Sequence, residues 1–216
     1  MRMQYKLFDQ TDENQNKKTS ITEEKGNIQK FLTVDGLIYQ SNFISKSQQQ
    51  ELVKAIYSAP WLSDIKRRVQ HYGWKYSYKF RAIDYSMYLG ELPTWAQNVA
   101  ENLKSEGFIS ELPDQMIVNE YLPGQGIAPH IDCQPCFDDT VISISLISSL
   151  VMDFVDTITK NKLQVLLEPG SVVIIKDKAR YNWTHGIASR KVDLLDGKRI
   201  ERLLRVSLTF RKVKLK

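Results

Sequence analysis

A chain of 216 residues, 42% of them hydrophobic, suits one domain with a core of its own. Two cysteines exclude a disulfide framework and point to a reducing, intracellular compartment. The formal charge of +5 permits a polyanionic partner without demanding one.

No apolar run approaches the ~20 residues of a membrane span, so no membrane role is expected. The opening "MRMQYKLFDQ" lacks the apolar core of a signal peptide. The cytoplasm is the expected location, with the nucleus open in a eukaryote.

Residues 1–27 are expected to form a mobile arm, because "DQTDENQNKKTSITEEK" offers one aliphatic residue, Ile21. "KFLTVDGLIYQSNF" reads as one or two short strands around Asp35-Gly36. Ser45-x-x-Gln48 predicts a capping box, with Leu52, Val53, Ile56 and Tyr57 on one helical face behind it. A second helix is expected to start from a box at Thr94-x-x-Gln97, with Trp95, Val99 and Leu103 inward. From about residue 115 six short apolar runs follow: "QMIVNEY", "TVISISLI", "LVMDFV", "LQVLLE", "SVVIIK" and "RLLRVSLTFR". Helices followed by strands predict an α+β protein with an antiparallel sandwich, barrel or jelly roll.

"PHIDCQPC" (129–136) holds two chemistries. In an extended segment His130 and Asp132 point the same way. His185, in "WTHGI", could complete two imidazoles and a carboxylate, the facial triad of a non-haem Fe(II) site. Histidines satisfied in the core or at the surface are the plain alternative. Cys133-Gln-Pro-Cys136 has dithiol spacing, but a turn and strand follow it instead of a helix. No further cysteine exists for a structural zinc site. Loop thiols near a metal are the expectation.

In "RLLRVSLTFRKV", Leu204, Val206, Leu208 and Phe210 share one face, and Arg205, Ser207, Thr209 and Arg211 the other. That second face is either wet or an anion site, since guanidinium grips carboxylate bidentately. "KRRVQHYGWKYSYKFR" (66–81) has six Lys or Arg and no acid. Its Tyr72, Trp74, Tyr76, Tyr78 and Phe80 alternate with small or basic residues. A half-buried strand explains this; so does a surface that stacks bases and holds phosphates through Lys75, Lys79 and Arg81.

"VNEYLPGQGIAPHIDC", "RYNWTHGI" and "RVSLTFRKV" together resemble the AlkB family of Fe(II)- and 2-oxoglutarate-dependent oxygenases. The likeness runs over roughly residues 30–213. "RRVQHYGWKYSYK" and "PDQMIVNEYLPGQGI" are similar to the branch that includes the tRNA wobble-uridine hydroxylase. The resemblance implies a double-stranded β-helix (jelly roll) over 115–216. It implies a helical extension over 28–114 with a nucleotide-recognition lid at about 66–90. His130, Asp132 and His185 would hold iron. Arg205, helped by Tyr121, would pair with the far carboxylate of 2-oxoglutarate. Arg211 would approach the near one, with Asn119 beside the cosubstrate. Ser207 stands where the best-studied pattern has Asn. Trp74 and Tyr76 on the lid would meet the substrate. Ile147 replaces a frequent glycine, and "IKDKAR" is more charged than the pattern. The implied activity is oxidative demethylation of alkylated bases in DNA or RNA, with O2 as second cosubstrate and formaldehyde released. Hydroxylation of a tRNA wobble uridine is the alternative. Protein demethylation or hydroxylation, or a non-catalytic nucleic-acid-binding module, are more distant ones. A monomer is expected.

Overall fold

The computed structural model describes residues 28–30, 34–63 and 65–215, so the expected arm over 1–27 lies outside the described residues. The chain opens with β1 (Ile28–Lys30) and β2 (Leu37–Gln40), paired antiparallel. Helix α1 (Lys46–Ser58) starts at the expected box. Gln48 N–H donates to Ser45 Oγ at 3.2 Å, and Ser45 N–H donates to Gln48 Oε1 at 3.0 Å. Two of the helix's orphan donors are thereby satisfied at once.

Strand β3 (Val69–Tyr72) follows, then helix α2 (Thr94–Ser105). The box expected at Thr94 does not form. Pro93 is the N-cap: it is extended, and its carbonyl accepts from Ala96 N–H and Gln97 N–H. Gln97 donates its side-chain amide to Leu92 O at 2.7 Å instead. The long alternating strand expected through Phe80 is also absent. It stops at Tyr72 because Gly73 turns the chain at φ +75°, where a Cβ would lie 1.8 Å from Asp114 O.

The remaining elements are β4 (Gln115–Tyr121), β5 (Ile127–His130), β6 (Phe137–Leu146), β7 (Leu150–Asp156), β8 (Lys162–Leu167), β9 (Val172–Ile175), α3 (Asp177–Tyr181), β10 (Trp183–Ile187), β11 (Val192–Leu195), β12 (Lys198–Glu201) and β13 (Arg205–Val213). The six expected strands are all there. The extra four carry no apolar run: β5 contains a proline and a histidine, β10 a histidine and a glycine, and β11–β12 is a short polar hairpin.

One sheet runs β1-β2-β9-β6-β13-β4-β3 and a second runs β5-β10-β7-β8, all antiparallel. They face each other in a jelly-roll type sandwich. Strands from before residue 115 extend the same large sheet as those after it.

Alternation along the strands separates two interiors. Met116, Val118, Ile142, Ile144, Val206, Leu208 and Phe210 face α1 and α2 and pack with Leu52, Val53, Ile56, Val99 and Leu103. The intervening residues face the smaller sheet, where Tyr121, Val141, Val173 and Ile175 meet Leu150, Phe154 and Ile187. Among the described residues no helix is long and apolar enough to cross a membrane.

Ile147, after β6, holds φ +77°, a region a β-branched residue enters at a cost of about 1–3 kcal/mol. Ile144, three residues earlier, is fully buried in regular strand. In urea unfolding, Ile144→Ala is expected to cost about 2–5 kcal/mol. Ile147→Gly is expected to stay within about 1 kcal/mol of neutral, because relief of strain offsets lost packing.

Candidate active site

The metal triad is assembled by one strand pair. β5 and β10 run antiparallel with His130 directly opposite His185, and the two rings lie 4.5 Å apart. The approach depends on Gly186. A Cβ there would lie 2.9 Å from the Pro129 backbone, so a side chain would push β5 away. Asp132 follows β5 and turns back, placing Oδ2 3.4 Å from His185 Nε2. One ligand atom from each of His130, Asp132 and His185 lies within 4.8 Å of the others.

Neighbouring groups set the protonation of His130 and Asp132. His130 Nδ1–H donates to Ala128 O at 2.9 Å, leaving the Nε2 lone pair free. Burial, reinforced by the nearby His185, pushes the His130 pKa down to about 4, so the imidazole is neutral at pH 7. Burial opposes the charge on Asp132. Arg211, and then His185, nevertheless hold its carboxyl well below the usual carboxylate range. Arg211 donates to Asp132 Oδ1 at 2.8 Å and to Gln115 Oε1 at 3.2 Å. Asp132 Oδ2 is buried and accepts no hydrogen bond. A free lone pair, a second imidazole and a bare carboxylate oxygen on one point are a donor set that fits Fe(II).

The charged "IKDKAR" segment also has a local purpose. It forms α3, whose Arg180 is buried and donates to Asp132 O at 2.9 Å and Cys133 O at 3.4 Å, bracing the ligand loop. Cys133 and Cys136 were expected as loop thiols; instead they are joined in a disulfide. The loop folds back at once, with Cys136 N–H and Phe137 N–H both donating to Cys133 O, and brings the two Cα atoms to 5.2 Å.

Beside the triad is a cavity of about 350 Å³. The polar face of β13 lines it through Arg205, Ser207, Thr209 and Arg211, with Thr209 half-buried and the other three buried. Arg205 is 1% exposed. It donates to Ser145 Oγ at 2.8 Å, and its guanidinium lies 5.5 Å from the Tyr121 ring centroid. Among the described residues no acidic side chain pairs with it, and its buried Nε has no partner. Burial pushes its pKa down to about 10. A buried, unpaired guanidinium fits a carboxylate ligand. Arg211 is committed to Asp132 and braces a metal ligand.

Asn119 and Tyr121 line the same cavity from β4. Tyr76 and Arg81 reach it from the 66–90 segment. Trp74 does not: it packs against Tyr88 with ring centroids 4.7 Å apart. Lys75 and Lys79 are exposed and do not line the cavity. Two further contributors lie in the basic aromatic stretch but were not among the residues expected to meet a substrate. Arg67 donates to Asn119 Oδ1 at 2.8 Å, and its guanidinium lies 5.4 Å from the Tyr121 ring centroid. Tyr78 is the other. Burial raises its phenol pKa, against the pull of Arg67 and Arg211.

A jelly roll holding two imidazoles, a bare carboxylate and a buried arginine defines a mononuclear non-haem iron oxygenase that takes a carboxylate cosubstrate. Residues 36–211 match the 2OG-Fe(II) oxygenase superfamily. The chain is 33% identical over 190 residues to the uncharacterized protein L905 of Acanthamoeba polyphaga mimivirus, covering 88% of this chain and 90% of that one. It is 34% identical over 210 residues to the alkylated DNA repair protein ALKBH8 homolog of Arabidopsis thaliana. It is 33% identical over 208 residues to the mouse tRNA (carboxymethyluridine(34)-5-O)-methyltransferase ALKBH8. Those two alignments cover 87% and 83% of this chain, but 61% and 30% of the relatives. The solved structure of OsALKBH1 superposes with a TM-score of 0.65 at 18% identity, over 86% of this chain and all of that one. This chain belongs to the 2OG-Fe(II) oxygenase superfamily, among its AlkB-type members. It is a 2-oxoglutarate-dependent dioxygenase that uses Fe(II), 2-oxoglutarate and O2.

Two substitutions test how the triad is held. Gly186→Ala separates β5 from β10, and Arg211→Met frees the Asp132 carboxylate to rotate. Each is expected to weaken Fe(II) binding by about 10–100-fold in anaerobic titration. Unchanged affinity in both would show that neither contact positions the ligands.

Proposed function

We propose that this enzyme oxidises a methyl group on a base of DNA or RNA, releasing it as formaldehyde. The observation that carries the reading is the cavity wall facing the triad, where Tyr76 and Tyr78 stand beside Arg67 and Arg81. Aromatic faces suit stacking on a base, and guanidinium groups suit its phosphates. The names of the plant and animal relatives, which concern DNA repair and tRNA modification, point the same way.

In this reading residues 115–216 form the oxygenase core and 28–114 the extension, with a lid at about 66–90 that presents the base. Trp74, Lys75 and Lys79 lie on the lid outside the cavity, where the flanking strand would run. Arg205, with Ser145 and Tyr121, holds the far carboxylate of 2-oxoglutarate; Asn119 and Ser207 lie along it. His130, Asp132 and His185 hold Fe(II), which with 2-oxoglutarate and O2 supplies the oxidising power, with succinate and CO2 as coproducts. The chain's own residues orient the base and exclude water. A base in a duplex must leave the stack, at a cost of a few kcal/mol that falls where methylation has already broken the pair.

A second reading is stable hydroxylation of a tRNA wobble uridine, and the name of the mouse relative favours it. Formaldehyde separates the two, since demethylation yields it and stable hydroxylation does not. The decisive measurement is mass spectrometry of methylated DNA and RNA oligonucleotides after incubation with Fe(II), 2-oxoglutarate and O2. Loss of 14 Da, about one CH2, with formaldehyde is expected for at least one base. His130→Ala and Asp132→Ala are each expected to abolish it. Turnover of protein substrates alone, with every oligonucleotide inert, would reject the reading.

A further inference from the structure

The cavity is rich in cations and poor in acids. Among the described residues its wall carries Arg67, Arg81, Arg205 and Arg211, and Asp132 as its one acidic side chain. Asp132 is already engaged by Arg211 at 2.8 Å and belongs to the metal triad. Fe(II) and the dianionic cosubstrate add charges of opposite sign and equal size. Nothing acidic is left to meet a cationic guest.

Arg67 makes this asymmetry local. Asn119 Oδ1 takes its Nε–H, and the Tyr121 ring lies 5.4 Å from its guanidinium carbon. These contacts fix the group at the cavity wall, half-buried, without neutralising it. Its two Nη groups meet no acidic side chain among the described residues. They point to a guest that offers carbonyl or anionic oxygen. Tyr76 and Tyr78, packed edge to face with ring centroids 5.2 Å apart, supply an aromatic wall against which such a base would lie.

We propose that Arg67 is a specificity-determining residue that selects neutral or anionic modified bases and rejects cationic ones. The inference rests on the reading of the substrate as a nucleic-acid base and narrows it. Ring-methylated adenine and cytosine whose methyl group fixes a positive charge are excluded. Bases methylated on an exocyclic nitrogen, or uracils and guanines carrying neutral or acidic substituents, are admitted. Like charges in a half-buried site repel far more strongly than in water, so the discrimination is built into the wall.

Isomeric probes test this without a change in mass or sequence. One oligonucleotide carries 1-methyladenine, a cation, and its twin carries N6-methyladenine, which is neutral. A second pair carries 3-methylcytosine and N4-methylcytosine. Binding is measured by fluorescence anisotropy with Fe(II) and 2-oxoglutarate under anaerobic conditions, and turnover by mass spectrometry after admitting oxygen. Wild type is expected to favour the neutral isomer of each pair by about tenfold or more, in affinity or in kcat/KM. Arg67→Glu is expected to collapse or invert that ratio, Arg67→Gln to reduce it, and Arg67→Lys to keep most of it. The ratio within each variant is the readout, so a general loss of activity or folded fraction does not imitate the effect. Wild-type preference for the cationic isomer overturns the proposal. So does a ratio that Arg67→Glu and Arg67→Gln both leave unchanged. Failure to bind any oligonucleotide removes the nucleic-acid reading itself, and is distinct from binding that ignores charge.

Discussion

The two-residue alternation of β4, β6 and β13 lets one sheet serve two interiors. Val206, Leu208 and Phe210 are buried against the helices, while Arg205, Ser207, Thr209 and Arg211 look into the cavity. β13 is paired on both sides, with β4 from Arg205 to Arg211 and with β6 from Val206 to Arg211, beyond which the β6 register shifts. A slip of one residue in either ladder would drive guanidinium groups into the helix-facing core and leucine into the cosubstrate cavity. The register of the central strands is therefore held by two incompatible environments at once. The hydrophobic effect on one face defines where the charges on the other must stand.

That arrangement carries an electrostatic cost. Arg205 is buried with a hydroxyl and an aromatic ring for company, neither of which cancels its charge. Its lowered pKa expresses the same burial. A carboxylate ligand at this position would relieve the cost, and binding it would then stabilise the folded chain. Arg211 differs in kind. Its partner Asp132 is part of the protein, and its charge is satisfied before any ligand arrives.

What could be read from the sequence follows from how local each signal is. The alternation in "RVSLTFR", the box at Ser45 and the six apolar runs are written in neighbouring residues, and the structure bears them out. His130-x-Asp132 was legible because two residues apart on an extended chain share a side. That His185 lies opposite was legible only as a possibility, since β5 and β10 have no apolar pattern and exist through pairing. The resemblance, rather than the spacing, pointed to the whole set. The disulfide escaped notice because nothing in C-x-x-C distinguishes a closed pair from an open one. Thr94 misled because Pro93 does the capping with its carbonyl, leaving no side-chain mark. The aromatic alternation over 72–80 misled because Gly73 divides it: Tyr72 turns to Trp95 and Trp74 to Tyr88, and Tyr76 and Tyr78 are left for the cavity. Arg67 stood in the basic stretch with nothing to set it apart, because its partners Asn119 and Tyr121 are more than fifty residues away.

Arg67 and Arg68 together tie the base-facing segment to the core. They are adjacent in the chain, and their partners, Asn119 and Glu120, are adjacent on β4. Asn119 faces the cavity, and Glu120 faces the helices. Arg68 grips Glu120 through two bonds of 2.7 Å, and Tyr57 of α1 donates to the same carboxylate at 2.6 Å. Trp61 lies 4.9 Å from the Arg68 guanidinium carbon. A bidentate pair with a buried carboxylate is directional, so it fixes the rotation of the backbone at this point. Once Arg68 is turned to the helix side, Arg67 is turned to the cavity. The ion pair on the far face of the sheet thus fixes which way Arg67 turns at the cavity wall. The helical extension takes part in the site through that ion pair, without itself touching the metal triad.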